Sequence, residues 1–181
     1  MENIRFEKYW KDEINKTANY IINLYSTRIT KKKRFILEKK IMSCFLHIRH
    51  YIKYYFNTDR NYPDFIKLTV YPINKQYEND SNFWKRYDLF GENKDNVTIK
   101  RLCNSFIHEK YKIDFIPAYD RMYGIFFASD DDDKQRKKLF YINLITIAQI
   151  YLTIINNREI GINISFNNDG KIKEIEYTNN W

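Results

Sequence analysis

The sequence predicts an α+β fold, with an N-terminal helical, bundle-like half followed by antiparallel strands and hairpins with one further helix. Three observations predict it. Apolar residues recur every three or four positions through residues 6–25 and 35–56. Beyond Tyr111 the pattern changes to short runs rich in aromatic and β-branched residues. Near the end, two such runs flank Asn167-Asn168-Asp169-Gly170, and Asp-Gly is a strong hairpin signal.

Each element has its own reason. Phe6, Trp10, Ile14, Thr17, Ile21 and Tyr25 share one face of a first helix, and Ser26–Lys33 reads as a polar, basic connection. A second helix spans about Phe35–Phe56, with Ile41, Phe45, Ile48, Ile52 and Tyr55 facing the core. The turn residues from Asn57 to Pro63 stop it. Phe65–Tyr71 alternates as a strand, Lys75–Asn82 is a polar loop, and Phe83–Phe90 reads as a short helix closed by Gly91. Glu92–Asn96 reads as a polar connection, with Asn96 or Thr98 capping a helix over about Val97–Lys110. Tyr111–Pro117, Met122–Ser129 and Leu139–Asn143 follow as extended runs. Leu144–Asn156 is a helix, and Gly161–Phe166 pairs with Lys171–Tyr177. No repeat interrupts the chain, so 1–181 reads as one domain, mainly helical over 1–110 and α+β over 111–181.

Composition narrows the function classes. The 181 residues hold 16 Tyr and 13 Phe but only 4 Gly and 3 Pro, which excludes a disordered or collagenous chain. Two cysteines, Cys44 and Cys103, cannot build a disulfide framework or a cysteine zinc site, and both read as core residues. Met1–Arg5 lacks the apolar core of a signal peptide. The charge-free window Leu139–Asn157 carries Asn143, Thr146, Gln149 and Thr153 on one face, the pattern of an amphipathic helix rather than a membrane span. A cytosolic protein without membrane contact is expected. The 31 Lys+Arg against 23 Asp+Glu leave a net charge of +8, which permits a polyanion partner. Basic residues gather at Lys31–Arg34, Lys39-Lys40 and Lys134–Lys138, where a solvated face is the plainer reading. Asp130–Asp133 lacks the spaced oxygens of a calcium loop and reads as solvated loop.

The chemistry concentrates between Thr98 and Glu109. On a helix Arg101, Asn104, Ser105 and His108 share one face, while Leu102, Cys103, Phe106 and Ile107 project elsewhere. Arg binds phosphate oxygens with a planar fork, and His moves a proton near neutrality. Two turns apart, they could straddle one phosphodiester. His108 would exchange a proton with the attacking or leaving oxygen and Arg101 would stabilise phosphoryl charge, with no metal required. The plain alternative is a helix whose polar atoms bond neighbouring backbone. On the second helix, Arg49, His50 and Lys53 could add phosphate contacts, alongside Ser105. His47, His50 and His108 would make a zinc set without a distinct fourth ligand, so neither metal nor cofactor is expected.

Arg101, six residues and then His108, on a helix that follows bundle-like helices, resembles the HEPN superfamily. Its hallmark is an Arg, four to six residues, then a His, with a polar residue nearby that Asn104 matches at a shifted position. The resemblance covers about residues 1–110 and implies a homodimer whose paired motifs form a metal-independent RNase, often a toxin or a phage-defence protein. Such proteins can have a neutralising or complex-forming protein partner besides RNA. Leu102 stands where the polar residue often follows the Arg, and the extended second half departs from the mostly helical superfamily. The runs Leu102–His108 and Gly124–Asp130 also look like a group of uncharacterised bacterial proteins, a likeness that names no activity. Two functions are therefore expected: an RNase working through Arg101 and His108, or a non-catalytic module that binds nucleic acid or protein, with the Arg101 helix structural.

Overall fold

Among the described residues thirteen elements follow one another: α1 (Glu2–Leu24), α2 (Lys31–Tyr55), β1 (Phe65–Pro72), a 3-10 turn (Lys75–Tyr77), α3 (Phe83–Arg86), β2 (Asn93–Thr98) and α4 (Ile99–Ile107) come first. Then follow β3 (Asp114–Pro117), β4 (Tyr123–Phe127), β5 (Lys138–Asn143), α5 (Leu144–Asn156), β6 (Ile160–Phe166) and β7 (Ile172–Asn179). This computed structural model describes residues 2–24, 27, 29–55, 65–77, 83–107, 114–117, 123–127, 138–156, 160–169 and 171–179. The fold is α+β, helices leading and antiparallel strand pairs following. It divides into two compact units, each assembled from separated stretches of sequence. A helical unit gathers Met1–Pro63, Pro117–Tyr123 and Asn143–Trp181. A sheet unit gathers Asp64–Ile116 and Gly124–Ile142.

In the helical unit α1 packs against α2 and α5. α1 buries Ile14, Ala18, Ile21 and Ile22, with Thr17 sealed among them by donating its hydroxyl to Glu13 O at 3.0 Å. α2 buries Leu37, Ile41, Cys44, Phe45, Ile48 and Tyr51. Tyr51 takes the core place expected of Ile52, which is half-buried, and its hydroxyl reaches Glu7 Oε1 at 3.4 Å. α5 is apolar on most sides and threads Tyr151 into the centre. There its ring meets Phe45 edge-on at 5.2 Å and its hydroxyl donates to Ile41 O at 3.2 Å. α2 begins at Lys31, earlier than the periodicity predicts, so the basic tract Lys31–Lys33 is helix rather than connection. Three cations in a first turn oppose the helix dipole. Thr30 supplies the start, its Oγ1 accepting Lys33 N–H at 3.3 Å and its carbonyl accepting Arg34 N–H at 2.8 Å. β6 and β7 form the expected hairpin, in register from Ile160↔Asn179 to Ser165↔Glu174 and shifted by one residue at Phe166↔Ile172, with Lys171 N–H donating to Asn167 Oδ1 at 2.8 Å.

The sheet unit orders its strands β2-β1-β5-β4-β3. β1 pairs antiparallel with β2 on one side and β5 on the other. The expected polar connection Glu92–Asn96 is largely strand β2. At the sheet edge it buries only Val97, so Asn93-Lys94-Asp95-Asn96 shows none of the alternation that marks an inner strand. α3 is shorter than expected. Tyr87 leaves it to bridge Ile73, and the Asp88 carboxylate accepts Phe90 and Gly91 N–H groups at 3.1 Å each, forming a turn. Side chains alternate across β4 and β5. Phe127 and Phe140 stack at 5.4 Å with Phe106 of α4 against Phe127 at 4.9 Å, whereas Phe126 and Tyr141 meet on the opposite face at 4.9 Å. Both cysteines are buried thiols. The acidic run Asp130–Asp133 and the basic residues 134–137 lie outside the described residues, and Lys138 opens β5. The charge-free window splits between β5 and α5, and among the described residues no helix is long and apolar enough to cross a membrane.

Candidate functional site

The chain turns from β2 directly into α4 at Thr98, whose Oγ1 accepts Arg101 N–H at 3.1 Å, an N-cap. The cap rotates Ile99, Leu102, Cys103 and Phe106 into the core. Arg101 is half-buried, its guanidinium 5.5 Å above the centre of the Phe140 ring, within the range of a cation–π contact. Ser105 is only 4% exposed and donates its hydroxyl to Arg101 O at 3.0 Å, back along its own helix. Asn104 is half-buried, and its Oδ1 lies below the surface without a hydrogen bond. His108 and the following Glu109 and Lys110 lie outside the described residues. Of the expected stripe, Arg101, Asn104 and Ser105 share α4, yet Ser105 faces inward, since a hydroxyl that bonds its own helix can be buried cheaply.

A second constellation lies on the helical unit. Arg49, His50 and Lys53 are all exposed on α2. The His50 ring stacks on Trp10 of α1, centroids 5.8 Å apart and planes 9° from parallel, and His47 meets the same indole edge-on at 4.6 Å. Ser43 Oγ lies 3.4 Å from His47 Nε2. Burial holds the His47 pKa below its usual value, and the charge of His50 works in the same direction against the opposing pull of Glu13. Beside this cluster a cavity of about 400 Å³ opens between α1 and α2, lined in part by Glu13, Thr17, Phe35, Ile36, Lys39 and Lys40. Arg49 and His50 belong to the helical unit and Arg101 to the sheet unit. Among the described residues no group of three or more His, Cys, Asp and Glu could hold a metal ion.

The chain matches no protein-family model, no curated protein and no solved structure. The α2 face can attract anions through Lys39, Arg49 and Lys53. It also carries apolar residues that sequence reasoning passed over: Phe35 is 67% exposed, Met42 40% and Leu46 41%. Their spacing was a usable signal, because 35, 39, 42 and 46 form a second helical seam beside the buried one.

Proposed function

We propose that the protein is a non-catalytic binding module that recognises an anionic partner through the outer face of α2. One observation carries this: helix α2 holds eight Lys and Arg against the single acid Glu38, with Lys39, Arg49 and Lys53 exposed along it. The inward Ser105 and the cation–π contact of Arg101 with Phe140 support a structural role for α4. The test is the salt needed to elute the protein from immobilised heparin. Reversing Lys39, Arg49 and Lys53 to Glu should lower it markedly, while the equal reversal of the exposed Lys67, Lys171 and Lys173 should not. Unchanged elution of the triple variant would remove the reading.

A second reading is a metal-independent endoribonuclease of HEPN type, with Arg101 and His108 as the working pair and Asn104 beside them. It is favoured by the half-exposed Arg101 one turn into a capped helix, with His108 seven positions on. RNA incubated with purified protein in EDTA decides between the two. Cleavage that is lost in folded Arg101→Ala and His108→Ala proteins would establish the enzyme, and equal silence in all three would leave the module.

A further inference from the structure

The exposed seam of α2 alternates grease and charge at helical spacing. Phe35, Lys39, Met42 and Leu46 follow one another at four, three and four residues, and the line runs on through Arg49 and Lys53. From Phe35 to Leu46 this is about 16 Å of helix, three turns. Large apolar side chains standing out singly need no explanation, but Phe35, Met42 and Leu46 stand on one line, and Phe35 at its start also borders the cavity between α1 and α2. The spacing is that of a helix seam, in which ridges of one helix enter the grooves of another.

We infer that this seam docks an amphipathic helix of an acidic protein partner, resting on the reading of α2 as an anion-seeking face. An apolar side chain of that helix would enter the cavity of about 400 Å³ beside Phe35, Ile36 and Cys44, and its carboxylates would meet Lys39, Lys40 and Arg49. Charge decides the occupant. A second copy of α2 laid on the first would set eight cations against eight, so self-pairing through this helix is disfavoured. A nucleic acid would match the cations but leave Met42 and Leu46 facing phosphates, with no apolar contact made. Only a partner bearing both acid and apolar residues satisfies both components.

The experiment uses the full chain and a fluorescein-labelled synthetic peptide of about three heptads, Leu at a and d and Glu at e and g. A control peptide keeps every Glu and replaces each Leu with Ser. The first peptide should bind in fluorescence anisotropy and the control should not. The exposed-site variant Met42→Ser/Leu46→Ser should weaken binding by about tenfold, and Lys39→Glu/Lys53→Glu by a similar factor, with helix content unchanged by circular dichroism. Equal binding of the control peptide, or unchanged binding by the Met42/Leu46 variant, would overturn the inference. Binding of poly(U) or phosphatidylserine vesicles without the Leu/Glu peptide would overturn this partner class and leave the anionic-partner reading standing. Binding of none of these probes would remove both.

Discussion

Gly124 on β4 lies so close to the Tyr141 ring on β5 that any Cβ would overlap it. The missing side chain lets the Tyr141 ring lie across the strand. Gly124→Ala should therefore destabilise the sheet unit by about 1–3 kcal/mol, measured by urea unfolding. In Gly124→Ala/Tyr141→Ala the two costs should be clearly non-additive, because the second change removes the clash. His47 supplies a pH prediction. Its native pKa lies below the ordinary value of 6.5, with burial the main cause. The unfolded chain thus binds more protons as pH falls through that range, so this contribution is present above it and lost below. Stability should rise from about pH 5 to pH 7, less steeply in His47→Gln, as read by thermal melts. Ser105→Ala removes a bond that a helix can lose, and should cost under about 1 kcal/mol. Such a small cost would fit the structural role given to that hydroxyl, whereas a large loss of a measurable activity would argue for a chemical one.

Elements differ in how openly their sequences announce them. α5 and the β6–β7 hairpin were legible to the residue or nearly so, because an apolar run and an Asp-Gly turn signal depend on local chemistry alone. β2 was hidden because an edge strand needs only one buried residue, Val97, and carries polar side chains elsewhere. The early start of α2 was hidden because its first turn is basic, and only Thr30 reveals it. The candidate site shows the same division. Helical spacing was enough to group Arg101, Asn104 and Ser105, but the inward turn of Ser105 depends on where the sheet lies. Phe35, Met42 and Leu46 repeat with the period of core residues, so pattern alone cannot tell a seam left open from one already filled. The caps can be tested at this scale. Thr98→Ala should cost about 0.5–2 kcal/mol, and Thr98→Ser much less, with amide exchange in α4 rising before that in α5.

Each of the two compact units is assembled from separated stretches of the sequence. α1 and α2 complete their core with α5, from a distant part of the sequence, and β1 takes β5 as its inner neighbour. A fragment ending at residue 110 therefore keeps the first two helices without Tyr151 and keeps β1 without Phe140 or Leu139. Such a fragment should lack a cooperative thermal transition and expose apolar surface to dye, whereas the full chain should show neither defect. The same interleaving sets a schedule on the ribosome. α2 is complete at Tyr55, but Tyr151, whose ring meets Phe45 edge-on, is translated roughly 100 residues later. At typical elongation rates of about 5–20 residues per second, the paired faces of α1 and α2 wait for several seconds before α5 can cover them. A nascent chain should therefore hold an uncovered apolar face through that interval, and moving α5 ahead of β1 by circular permutation should shorten it.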